Sequence, residues 1–283
     1  NLKNGLHYLH SCPETPFSFE YKSVLLTEEI WDTRTNTFKK AATLPEMFEY
    51  SKKVMENLRH PASIMDPGKR KEVFVPISNQ MDDLIKAHYD YAGPENFLWN
   101  HKLEKIDIDN KIAYFRNEEE SLSVDYEYLI TTAPMNAFYS ICGMKCPYEL
   151  KHKTLYITNY KTTNIVPNWL IALYMSDPKF PPYRMTVLNN IISMESLAPI
   201  TYEQEVVIKY LIGDLFDYEL SSKNEYVWET GRIFGISNQQ REEVVGMFAE
   251  KDIHLLGRFS RWDGKLLIDS TIKQSQEIVK KLI

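Results

Sequence analysis

At 283 residues with 43% hydrophobic side chains, the chain is long enough to bury a sizeable core as one large α/β domain or two ordinary ones, which excludes a disordered protein. A net charge of −6 argues against an electrostatic footprint for nucleic acid and excludes binding of it through bulk charge. No apolar run approaches the roughly 18 to 20 residues that span a bilayer, and Asn1–Asn4 carries no signal-peptide apolar region, so the sequence reads as a soluble, cytoplasmic protein.

Since residue 1 is not Met, translation is expected to start upstream. The three cysteines, Cys12, Cys142 and Cys146, make no disulfide framework, and the CxxxC of Cys142 and Cys146 lacks a second ligand pair, so no metal site is expected.

Along the chain, Phe17–Leu26 has the alternation of a strand, and Ile30–Phe38 pairs with it around Arg34–Asn36. Pro45–Arg59 opens with a first-turn proline and keeps Met47, Phe48, Val54 and Leu58 mostly on one face, which predicts a helix. Val73–Pro76 reads as a short strand. Ser78-Asn79 then caps a helix through Leu84, Ile85, His88 and Tyr89 that ends at Gly93.

Strands are predicted at Phe97–Trp99, Leu103–Ile108, Ile112–Phe115 and Tyr126–Thr131, with Glu118–Glu120 a solvated loop tip. Further strands are expected at Thr154–Thr158, Trp169–Tyr174, Arg184–Asn189, Tyr226–Phe234 and Ile253–Leu256. Helices are expected at Tyr202–Phe216, Gln239–Phe248 and Asp269–Ile283, the last capped by Asp269 or Ser270.

Four segments, in order, carry a resemblance. Leu255-Leu-Gly-Arg-Phe-Ser-Arg-Trp262 with Asp269-Ser-Thr-Ile272 combines a glycine after a strand, an arginine and a helix start, a combination suited to an anionic ligand. Tyr126–Pro134 is a hydrophobic strand ending in Thr132 and Pro134. Val73–Pro76 with Asp82–Ile85 and Leu103–Ile106 forms a strand, turn, helix and strand. Leu170–Tyr174 with Phe180–Arg184 places Arg184 after a proline-aromatic stretch, where a guanidinium can clamp a carboxylate or phosphate.

Together these segments resemble the FAD-binding scaffold shared by amine oxidases, protoporphyrinogen oxidases and UDP-galactopyranose mutases. The resemblance implies an α/β (α+β) fold in which a Rossmann-like FAD/NAD(P)-binding domain (1–44, 73–134 and 250–283) interleaves with a mixed or antiparallel-sheet substrate domain (45–72 and 135–249). It implies FAD contacts from Leu103, Thr132, Pro134, Gly257, Arg258, Trp262, Asp269, Ser270 and Thr271, and substrate contacts from Tyr183, Arg184, His7 and His10; it assigns no catalytic residue.

Two departures from that scaffold stand out. Ser78-Asn79 replaces the glycines of the family's Pro-x-Gly-Gly turn, and the GxGxxG fingerprint expected upstream of Gly5–His10 occurs nowhere. Either the protein lacks that unit, or a removed segment or a partner chain supplies it.

The leading expectation is an FAD-dependent oxidoreductase of amine-oxidase type, taking hydride from a carbon next to nitrogen of a small-molecule amine. A non-redox enzyme like UDP-galactopyranose mutase, acting on a nucleotide-linked substrate, is the alternative. Lys265–Ile268 stands where its paired tyrosines belong. A non-catalytic binding subunit is the third reading.

Overall fold

The computed structural model describes residues 8–12, 15–39, 42–55, 71–78, 81–216 and 220–282. In chain order it forms β1 (Tyr21–Asp32), β2 (Thr37–Lys39), α1 (Leu44–Met55), β3 (Lys71–Pro76), α2 (Met81–Ala92), β4 (Lys102–Asp107), β5 (Ile112–Arg116), β6 (Ser121–Asp125), β7 (Leu129–Thr131) and α3 (Met135–Ile141). There follow β8 (Lys151–Tyr174), β9 (Pro182–Ser196), α4 (Tyr202–Phe216), β10 (Leu220–Phe234), α5 (Asn238–Ala249), β11 (Ile253–Leu255), α6 (Gly257–Ser260) and α7 (Ile268–Leu282). The fold is α/β. Two compact units divide the chain, one from Asn1–Cys12, Phe19–Asp83 and Lys153–Arg232, the other from Pro13–Ser18, Leu84–His152 and Ile233–Ile283.

The first unit is built on a mixed six-stranded sheet in the order β10-β8-β1-β2, with β3 also pairing β1 and β9 pairing β8. Alternation in β1 buries Val24, Leu26 and Ile30, and Val24 and Leu26 pack with Val73 and Val75 of β3, Leu170 and Ala172 of β8 and Leu188 of β9. β1 runs parallel to β8, Leu25 opposite Trp169 and Ile30 opposite Tyr174, and antiparallel to β2 and β3. The hairpin turn expected at Arg34–Asn36 forms. Asn36 sits at φ 50 there and accepts from Trp31 Nε1 at 2.9 Å. The core joins Trp31, Tyr160, Leu173, Met185 and Ile192 to Ile208 and Ile212 of α4.

Two features shape the far end of this sheet. Lys53 of α1 points its ammonium into the β8–β9 turn, where its three N–H groups are shared among the carbonyls of Met175, Asp177, Phe180 and Pro182 at 3.2, 2.8, 2.6 and 2.7 Å. In addition, β9 is sharply bent. Arg184 and Glu195 form an ion pair although eleven positions apart on that strand. An unbent strand would hold them roughly 36 Å apart at about 3.3 Å per residue. Asn189 at φ 54 lies between them, an asparagine in the left-handed region that interrupts the regular strand geometry.

The second unit holds an antiparallel sheet β4-β5-β6 and a parallel pair β7-β11. Its core gathers Ile106, Met135, Phe138, Val244, Phe248, Leu255 and Trp262. Ser237 and Gln240 close a capping box at the start of α5, Gln240 N donating to Ser237 Oγ at 3.2 Å and Ser237 N to Gln240 Oε1 at 2.8 Å.

Several expectations are corrected here. Phe97–Trp99 is not a strand; the Phe97 and Trp99 rings stack on each other and pack at a tilt against Tyr89, so aromatic content misleads where no partner strand exists. Tyr126–Thr131 is strand only from Leu129, and β6, α3 and α6 form where none was predicted. α7 begins at Ile268, so Asp269 and Ser270 lie inside its first turn rather than capping it. The apolar side chains of α7 bury none of its residues fully.

Cys12, Cys142 and Cys146 are free. Burial pushes the Cys142 thiol up to about 11, which keeps it protonated and unreactive. Among the described residues no helix is long and apolar enough to cross a membrane, and no group of three potential metal ligands gathers.

Candidate functional site

In the second unit, β7 and β11 lie side by side and parallel, Ile253 opposite Leu129 and Leu255 opposite Thr131. Parallel strands present their carboxyl ends together, the edge where open α/β sheets bind ligands. Thr132–Pro134 and Gly257–Arg258, more than a hundred residues apart in sequence, therefore leave the sheet at one edge. Leu256 N bonds Thr131 O at 2.9 Å, extending the pairing to the point of exit.

Beyond β7, Thr132 is exposed and Pro134 starts α3, Phe138 N bonding Pro134 O at 2.8 Å. Beyond β11, Gly257 turns the chain at φ +85, where a side chain would be strained although the space is open: an added Cβ meets Thr271 Cγ2 at 3.5 Å. Arg258 Nε donates to Leu266 O at 3.0 Å, so this arginine braces the turn leading into α7. Asp269, Ser270 and Thr271 are half-buried in the first turn of α7, and Thr271 Oγ1 donates to Leu267 O at 3.0 Å.

Leu103 packs against the core, and Trp262 is buried within it, donating from Nε1 to Phe234 O at 2.8 Å. Two buried polar atoms here, Ser260 Oγ and Gln274 Oε1, have no partner among the described residues. A glycine cradle, a helix start and unmet polar atoms at a strand-end edge fit a dinucleotide-type cofactor.

In the first unit the residues expected to touch substrate belong to a buried polar group. Arg184 and the Tyr183 hydroxyl both bond the Glu195 carboxylate, and the Arg232 guanidinium stands 4.8 Å from the centre of the Tyr183 ring. Beside Arg184, Glu28 accepts from Tyr174 OH at 3.0 Å and from Lys71 Nζ at 2.9 Å. Burial pushes the Tyr183 hydroxyl far up and Tyr50 up to about 12, so both stay neutral. Burial alone would raise Glu195, but the charges of Arg184 and Arg232 and the bonds from Tyr183 and Arg184 outweigh it and hold the carboxyl below its usual range.

Three cations thus face two carboxylates. The Nε atoms of Arg184 and Arg232 are buried without partners among the described residues, while 25% of the Arg184 side chain as a whole remains exposed. Arg232, Glu195 and Glu28 escaped the sequence reading; nothing local in a strand marks a charge as buried. His10 is exposed beside Tyr8, their rings 5.3 Å apart, while His7 lies outside the described residues.

No family model matches the sequence, and no curated protein matches it. Solved structures do. A reduced UDP-galactopyranose mutase aligns over 100% of this chain and 84% of its own, with a TM-score of 0.71 at 14% identity. The chain has the fold of that mutase. A protein described as a protoporphyrinogen oxidase of Exiguobacterium sp. 255-15 aligns over 85% of this chain and 59% of its own, with a TM-score of 0.53 at 10% identity. The p-nitrophenol 4-monooxygenase of Pseudomonas putida DLL-E4 aligns over 93% and 64%, with a TM-score of 0.51 at 12% identity. The likeness expected from the sequence segments is therefore present as a likeness of fold.

Proposed function

We propose that this chain is a flavin-dependent enzyme that holds FAD at the β7–β11 edge and binds an anionic substrate group at Arg184 and Arg232. The observation that carries the reading is the meeting of Thr132–Pro134 and Gly257–Arg258 at the carboxyl ends of two parallel strands. Gly257, the first turn of α7 and Thr132–Pro134 would hold the nucleotide, with Arg258 fixing the turn between them. When bound, the flavin would supply the hydride-accepting or nucleophilic centre of the reaction. In this reading a βαβ unit with the glycine fingerprint comes from another segment or a second chain.

The residues of the first unit favour one substrate class over another. Two guanidiniums with unmet Nε donors attract an anion with several acceptor oxygens and repel a protonated amine. This favours a nucleotide-linked substrate, handled as in a UDP-galactopyranose-mutase-like, non-redox reaction. Oxidation of a C–N bond is the second reading, carried by the sequence segments alone.

The test is the visible spectrum of the purified protein before and after denaturation, where flavin absorbs near about 370 and 450 nm. Released FAD supports the enzyme reading; a colourless protein that added FAD does not reconstitute supports the non-catalytic binding subunit. Peroxide formed on addition of amines reverses the choice between the two reactions. Replacing Arg258 by alanine is expected to lower flavin content by freeing the turn before α7; unchanged content removes Arg258 from the site.

A further inference from the structure

Outside both candidate sites, the second unit carries a large aromatic surface held in the open. Trp99 is 62% exposed. Its ring lies nearly parallel to Phe97, at 8° with centroids 5.6 Å apart, and Tyr89 packs 4.7 Å from Phe97 and 5.5 Å from Trp99. The backbone beneath is fixed by a relay. His101 Nδ1 donates to Trp99 O at 2.8 Å, the tautomer that leaves Nε2 free to accept from Asn117 Nδ2 at 3.0 Å. Asn117 Oδ1 in turn accepts from the backbone N–H groups of Glu119 and Glu120 at 2.8 and 2.7 Å. The solvated loop tip of the sequence reading is thereby tied to the aromatic platform.

Trp99 lines a cleft of about 860 Å³ with Asn100, Lys102, Glu104, Arg116 and Glu118 on its rim. An exposed indole costs solvation free energy, and holding it in one orientation costs entropy, so a rigid exposed indole is suited to stacking against a ligand face. The rim offers side-chain amide and cationic donors beside carboxylate acceptors. Counting Glu119, three carboxylates face two cations there, which repels phosphate and so disfavours nucleotides.

A ligand with an apolar face and an edge of uncharged donors and acceptors satisfies both parts of the cleft. A pyranose ring has this shape, its C–H face apolar and its hydroxyls at the edge. We propose that this cleft binds a neutral saccharide stacked on Trp99. The proposal is independent of the flavin reading, because none of these residues belongs to the β7–β11 edge or the arginine group.

The experiment is a titration of uniformly ¹⁵N-labelled protein, which reports indole and backbone N–H groups together, with maltotetraose, cellotetraose and chitotetraose at millimolar concentration, followed by NMR. Trp99→Ala assigns the Trp99 resonance, and retained dispersion of the other indoles verifies its fold. At least one saccharide is expected to shift the Trp99 indole. Trp99→Ala should abolish the accompanying backbone shifts in β4 and β5, and Asn117→Ala should weaken binding about tenfold by releasing the relay. The proposal is overturned if none of the three saccharides shifts the resonance, if the shifts in β4 and β5 persist without Trp99, or if AMP shifts it while the saccharides do not.

Discussion

Replacing Glu195 by glutamine is expected to destabilise the protein by about 3–5 kcal/mol, the usual cost of removing one partner from a buried ion pair. The glutamine keeps the shape but leaves Arg184 and Arg232 without a carboxylate and Tyr183 with a weaker acceptor. Urea unfolding of the two proteins measures the difference. The pH dependence supplies a second readout. Because the folded-state pKa of Glu195 is held below its unfolded value, its stabilisation is complete above the unfolded carboxyl range and is lost as pH falls through the folded pKa. The wild type should lose that increment on acidification and the variant should not. Equal stability at neutral pH would mean that solvent already satisfies the two arginines.

The variant also bears on function. Glu195 occupies donors that an anionic ligand would use, so its removal should tighten inorganic phosphate binding even as the fold weakens. Phosphate affinity unchanged in a folded variant would detach the arginine group from substrate recognition.

What the sequence could disclose depended on how local the determining physics is. The helices α1, α2, α4, α5 and α7 follow from apolar periodicity and end signals carried within each segment, whereas Tyr126–Pro134 and Leu255–Trp262 stood out only by resemblance, and their parallel pairing as β7 and β11 was not legible. α3 is seven residues long and starts at Pro134 without a side-chain cap, and four of the five residues of β6 are exposed, so neither has a periodic signature. β8 and β9 read as separate short strands because their pairing is broken by register shifts between Lys161 and Leu170, and by the bend at Asn189.

Strand partners were the least accessible. Motif order groups β1 with the cofactor-side segments, whereas β1 pairs with β8, a contact no local pattern encodes. Arg184 was visible as a candidate because it follows a proline-aromatic run. Its partner Glu195 was not, since only the bend in β9 brings the two together.

The turn that leads into β9 is held by Lys53, and replacing Lys53 by methionine is expected to destabilise the protein by about 2–4 kcal/mol through loss of its bonds to the turn carbonyls. Asp177 O keeps the N–H of Phe180 at 3.2 Å, so the loss is largest at the other three. The same turn leads directly into Tyr183 and Arg184, and a loosened turn should weaken anion binding as well as stability.

Two opposed effects act on the ammonium. Burial pulls Lys53 down to about 7, while the charge of Asp177 opposes it and the carbonyls around Nζ accept best from the protonated form. If burial dominates, the unfolded chain binds more protons than the native one between about pH 7 and 10, and wild-type stability rises with pH across that window. The methionine variant should lack the rise. A flat wild-type profile would instead mean that the carbonyl cage keeps the ammonium charged, and a variant as stable as the wild type would mean that the turn holds without the lysine.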